Sequence, residues 1–193
     1  MTPDLSDKAW ELLHQVRLRG FVPTTGTAID SELTDAGVAM LRGSNLALTP
    51  AGREAHATWA RLPEGSEPEG TARRIYERFL PLNTELLKVC TAWQLRDDGS
   101  LNDHSDRAYD FAVIERLDRL HDRVVNLVDP LGGSVPRFKG YTARLAQALD
   151  KVAEDRQWMA SPRCDSYHTV WMQMHEDLLG AIGASREDEP EPQ

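Results

Sequence analysis

The nine residues Leu62-Pro63-Glu64-Gly65-Ser66-Glu67-Pro68-Glu69-Gly70 constrain this chain more than any other stretch. They hold two prolines, two glycines and three glutamates. Such a run has almost nothing apolar to bury, and its composition suits a connection rather than a core element. It divides the 193 residues into a module at 1–62, a linker at 63–70 and a longer module at 71–183. Residues 184–193 are acidic and proline-rich, and they are expected to form a disordered tail. No internal repeat is evident.

Composition narrows the function classes. The formal net charge is −9, which disfavours a protein that coats nucleic acid or anionic membrane over its whole surface. No apolar run approaches the ~18 residues of a membrane span, so no membrane partner is expected. The N-terminus lacks a basic segment followed by an apolar one, so no signal peptide is expected either. Cys90 and Cys164 stand far apart without a CxxC, which excludes a disulfide framework and a cysteine-rich zinc site. The expectation is a cytoplasmic protein. No cofactor motif and no catalytic signature stand out, and a non-enzymatic role is expected.

In the first module, Trp10, Leu13 and Val16 share one helical face, Asp4 or Ser6 can cap that helix, and Gly20 can end it. Residues 21–30 are rich in Thr, Gly and Pro and read as irregular. Ile29–Leu41 suits a second helix, weakened by Gly37. Leu46-Ala47-Leu48 reads as a short strand. Thr49-Pro50 then supplies a cap and a first-turn proline for a helix reaching Leu62.

The phrase Leu48-Thr49-Pro50-Ala51-Gly52-Arg53 resembles the wing-to-helix segment of MarR-type winged-helix regulators. Upstream, Leu33 and Ala36-Gly37-Val38 resemble the end of a recognition helix and its step into the wing. The likeness covers roughly 30 residues. It implies DNA binding, for which Arg17, Arg19, Arg42 and Arg53 are the available cations. Such regulators are typically dimers, so a homodimer is also implied. The chain departs from the pattern in one respect. A regular winged helix has two helices between its first helix and its wing, and here only Phe21 to about Leu33 are available. Residues 1–62 carry six basic and seven acidic side chains, unlike the basic face of most DNA readers.

The second module has four amphipathic stretches. Helix A is expected over Thr71–Arg96, kinked or split at Pro81; helix B over Asp106–Val128; helix C over Val135–Trp158; helix D over Ser166–Ile182. Short connections make neighbours antiparallel. The expected fold is mainly α, with a small winged-helix-like domain bearing a short β wing, followed by an up-down four-helix bundle. The phrases Asn102–Asp110, Asp165–Trp171 and His175–Leu179 resemble a helical C-terminal module of actinobacterial proteins labelled winged-helix or MarR-like regulators. That likeness covers about 110 residues and supports the regulatory reading without naming a ligand.

In an up-down bundle the A–B and C–D loops share one end. Asp103 and His104 on the first loop should therefore meet Asp165, Tyr167 and His168 on the second, with His175 deeper along the same wall. These side chains suit a small-molecule site, and their donor types also suit a divalent metal. Against that, Ser105 or Asp106 and Asp165 or Ser166 are ordinary helix caps, and no metal is expected. Trp93 and Trp158 fall near that end and are able to wall a pocket. Cys164 and His168 are four apart, but Asp165 opposes thiolate formation. Arg137 and Lys139 make a small basic spot at the start of helix C, while His121 and Asn126 read as solvent-facing. Asn83 or Thr84 can satisfy carbonyls freed by Pro81.

Three readings compete. The first is a regulator whose winged-helix-like module contacts DNA and whose bundle senses a ligand or dimerises. The second is an adaptor that binds a partner protein without touching DNA. The third is a metal-dependent enzyme working at the polar end of the bundle. The regulatory reading carries the two resemblances.

Overall fold

A computed structural model describes residues 2–188. The protein is mainly helical and contains a three-stranded antiparallel sheet. Residues up to Glu64, together with Leu179–Asp188, form one compact unit, and Gly65–Leu178 form a second.

In the first unit, α1 (Asp7–Arg19) starts at Ser6, whose side chain accepts from the Ala9 amide, and stops at Gly20, where φ is 81°. Strand β1 (Phe21–Pro23) follows at once, in a segment expected to be irregular. It is an edge strand, a position that tolerates Pro23 because one row of backbone groups faces away from the sheet. Next come α2 (Ala28–Asp35), β2 (Ala39–Arg42), β3 (Asn45–Leu48) and α3 (Pro50–Ala60). The stretch Ile29–Leu41, expected as one helix, is therefore helix only to Asp35, turn over 36–38 and strand from Ala39. Gly37, at φ 70°, is the switch: its amide donates to Thr34, and that of Val38 to Leu33, which closes the helix end. A two-residue turn joins β2 to β3, with Gly43 at φ 61° in its first position. The strands lie in the order β1-β3-β2. One sheet face, with Val22, Ala39 and Leu46, packs on Leu13, Val16 and Leu33 in a single core.

In the second unit, α4 (Glu67–Gln94) begins inside the expected linker. Ser66 accepts from the Glu69 amide, Pro68 sits in the first turn, and Glu67 and Glu69 complement the helix dipole. A composition that reads as linker is thus also a strong helix start. Pro81 neither splits nor ends α4, because Phe79, Leu82 and Leu86 are buried on both sides of it. Helix α5 (Arg107–Ser134) is capped by Asp106 and runs six residues past the expected end at Val128. Leu131 is fully buried, and Gly132 lets the backbone of Lys139 approach closely. Burying Leu131 outweighs the turn signal of Pro130 and the paired glycines.

Helix C differs most from expectation. It is a 3-10 turn at Pro136–Gly140, then α6 (Tyr141–Val152) and a short α7 (Gln157–Ala160). The last helix, α8 (Tyr167–Ile182), packs its aromatic and polar residues on α4, α5 and α6. Phe79, Leu86, Leu117, Leu145 and Trp171 are core members. Of the expected tail, Arg186–Asp188 form a 3-10 turn, and residues 189–193 lie outside the described ones. Among the described residues no helix is long and apolar enough to cross a membrane.

Candidate nucleic-acid interface

The sheet of the first unit has a second face. Residues directly opposite in antiparallel strands point to the same side. Phe21 stands opposite Ala47, Ala47 opposite Met40, and Asn45 opposite both Pro23 and Arg42. These six side chains share the face turned away from Val22 and Leu46. Phe21 is 62% exposed.

An open cleft of about 700 Å³ lies here. The end of α1 gives it Val16, Arg17 and Gly20. The strands give Phe21, Arg42, Asn45, Ala47 and Leu48, and α3 gives Arg53 and Ala57. Three of the four arginines singled out in the sequence therefore line one recess, and no acidic side chain is among its described lining residues. Arg53 Nη1 donates to the Leu48 carbonyl at 3.4 Å, which keeps its guanidinium near β3. The fourth cation, Arg19, donates to Gln15 on α1 and is not among the lining residues.

The local backbone is held by the phrase that carries the winged-helix resemblance. Thr49 Oγ1 donates to the Gly37 carbonyl at 2.7 Å and accepts from the Gly52 amide at 2.9 Å. The Thr49 amide donates to the Val38 carbonyl at 3.1 Å. Gly52 lies so close to Val38 that an added Cβ would stand 1.8 Å from its carbonyl oxygen. This clamp sets α3, and Arg53 on it, against the sheet.

Helix α2 is acidic, with Asp30, Glu32 and Asp35 in eight residues and no cation. Two of these carboxylates serve the fold. Asp30 accepts from Thr25 Oγ1 and from the amides of Thr25 and Gly26. Burial pushes the Asp30 carboxyl up, and those hydrogen bonds outweigh it and hold the group below its ordinary value. Glu32 accepts from the amide and hydroxyl of Ser6.

The polar residues expected to meet in the second unit fall at two levels. His104, at φ 60°, has Nδ1 3.0 Å from both carboxylate oxygens of Asp110, and its ring lies 4.6 Å from that of Trp93. Asn102 donates to the Trp93 carbonyl, and Asp103 accepts from the amide and hydroxyl of Ser105. Those hydrogen bonds hold the Asp103 carboxyl below its ordinary range. This set ties the α4–α5 connection together. Asp165 accepts from Arg144 at 3.1 Å, and the buried Tyr167 places its hydroxyl 3.3 Å from His121 Nδ1. Asp110 and His121 are eleven residues apart on α5, about 16 Å along the axis. Asp103 and His104 are therefore not brought to Asp165, Tyr167 and His168. The reason is the length of α6, whose 12 residues span about 18 Å against about 42 Å for the 28 of α5, so the second loop returns partway along the unit. His168 is half-buried on the first turn of α8, and His175 is fully buried between the rings of Tyr76 and Phe79.

Other sequence readings shift as well. Arg137 is no surface cation: it donates to the buried Asp177 carboxylate at 2.7 Å, beside Tyr141. Burial and the Asp177 charge hold the Tyr141 phenol well above its ordinary range. His121 is half-buried rather than solvent-facing. Asn83 accepts from the Trp171 indole at 2.9 Å, and Thr84 donates to Leu80. Burial pushes the Cys90 thiol to about 11, and burial with Asp155 and Asp165 also raises that of Cys164. Among the described residues no group of three or more His, Cys, Asp or Glu is arranged to hold a metal ion.

Sequence reasoning missed the buried pair His14 and His56, whose ring nitrogens meet at 2.8 Å beside the stacked Trp10 and Trp59. They are 42 residues apart, and only their places on the apolar faces of α1 and α3 hinted at them. It missed the exposed placement of Phe21 too, because β1 itself was not expected. Searches of known protein families, curated proteins and solved structures find no match to this chain.

Proposed function

We propose that this chain is a nucleic-acid-binding protein of the regulatory kind. Its first unit holds the phosphate backbone in the arginine-lined cleft. Its second unit is an up-down four-helix bundle that dimerises or senses a ligand. The observation that carries the reading is the gathering of Arg17, Arg42 and Arg53 in one recess with no acidic side chain among its described lining residues. Arginine forms two parallel hydrogen bonds to a phosphate and keeps its charge at any physiological pH. Three such groups offset a global charge of −9 locally, and proximity governs binding more than the sum.

The order α1-β1-α2-β2-β3-α3 with strands β1-β3-β2 supports descent from a winged helix that has lost one helix. A second reading, the adaptor, draws its support from α2. Its three carboxylates would meet phosphates unfavourably in a major groove. The test is binding of the purified chain to sheared genomic DNA, native and heat-denatured, over a salt series. Salt-sensitive binding that Arg42→Ala and Arg53→Ala weaken is the expected result. No binding at low salt to either form would overturn the reading in favour of the adaptor.

A further inference from the structure

We propose that the cleft takes an unpaired nucleobase on Phe21, so that its ligand is single-stranded nucleic acid. This rests on the reading above that the cleft holds nucleic-acid phosphates. Three observations point the same way.

The first is the sheet face. Phe21 presents its ring at 62% exposure, on the same side as the small Ala47, which leaves the space beside it open. Asn45 and Arg42 follow on that face. The Asn45 amide offers both a donor and an acceptor to a base edge. An aromatic ring on an open sheet, flanked by cations, is a stacking platform, and it works on any base because every base has a π-face.

The second is the placement of charge. Arg17, Arg42 and Arg53 come from three different elements and line the same cleft as the aromatic ring rather than forming a row on one helix. A backbone crossing the cleft would meet them in turn while a base turns inward. A recess of about 700 Å³ falls in the range of small-molecule sites, about 300–1,000 Å³. It receives a nucleoside-sized group, whereas the bases of a duplex are stacked and paired out of reach.

The third is what α2 lacks. Duplex reading by helix insertion needs a helix that tolerates two rows of phosphates. Helix α2 brings Asp30, Glu32 and Asp35 and no cation. The favourable surface of this unit is therefore the sheet side.

The experiment is fluorescence anisotropy at low salt with the full chain. The probes are a labelled 12-nucleotide thymidine oligomer, its duplex with a complementary strand, and an abasic oligomer of the same length. The proteins are wild type, Phe21→Ala and Phe21→Trp. Because Phe21 is exposed, both variants are expected to fold, and their thermal transitions should match wild type. Wild type is expected to bind the single strand at least about ten-fold tighter than the duplex or the abasic oligomer. Phe21→Ala should weaken single-strand binding by about 5- to 150-fold, the range for loss of one stacked base. The loss on the duplex and the abasic oligomer should be smaller, and Phe21→Trp should retain the preference. Equal binding of single strand and duplex, or a single-strand preference that Phe21→Ala leaves intact, would overturn the stacking proposal while the phosphate reading stands. Failure of all three probes to bind would overturn the phosphate reading itself, and the stacking proposal with it.

Discussion

Gly52 shows how much one side chain's absence controls. A Cβ there would meet the Val38 carbonyl oxygen at 1.8 Å, and both partners are backbone, so neither has a rotamer to escape into. Gly52→Ala is expected to cost about 2–3 kcal/mol, seen as a lower denaturant midpoint, in line with overpacking elsewhere. His121 sets a pH dependence. Burial holds its imidazole below the ordinary 6.5, against the opposing charges of Asp122, Asp118 and Asp150, and it faces the Tyr167 hydroxyl. The folded chain therefore takes up this proton less readily than the unfolded one. The stability His121 contributes is full above about pH 6.5 and is lost as pH falls through its folded value. Denaturant midpoints measured between pH 7.5 and 5 should fall more steeply for wild type than for His121→Asn. Identical slopes would contradict the assignment. Some of these roles were legible in the residues and some were not. Thr49-Pro50 announced a cap, and the cap is there. Nothing local could say that Gly52 touches Val38 or that His121 turns inward, because both follow from contacts distant in sequence.

Among the elements, the helices were readable where an apolar stripe repeats every three or four residues. Helices α4, α5 and α8 follow their stripes. Their ends were less so, because turn signals compete with burial. Pro130 and the following glycines read as a turn, yet α5 carries Leu131 into the core. Ser66-Glu67-Pro68 read as linker, yet it caps and starts α4. The shortness of α6 is what separates the two polar loops, and an apolar pattern that simply continued to Trp158 hid it. The 3-10 turn before α6 places Arg137 against α8, where its partner Asp177 has no exposed side-chain surface. Breaking such a pair strands a buried carboxylate. Arg137→Met is expected to cost about 3–5 kcal/mol in a denaturant titration, and adding Asp177→Leu should recover most of that loss. A double variant no more stable than the single one would show that the pair is not coupled as described.

On the scale of the whole molecule, composition and local charge disagree. A chain with net charge −9 is a poor polyanion ligand on average, yet one face of one unit gathers three arginines and an exposed ring. The four cations were visible in the sequence; the convergence of Arg17, Arg42 and Arg53 was not, because it depends on β1, which pairs with β3 against every local signal for irregular structure. The central claim is that this cleft meets phosphates, and the salt dependence of binding to a single-stranded oligonucleotide tests it most directly. Each phosphate contact contributes a slope of about −0.7 in log K against log salt for single strands. Three arginines predict a slope of about −2 for wild type and about −0.7 for Arg42→Ala with Arg53→Ala. The same slope for both proteins, or no binding at low salt, would contradict the account.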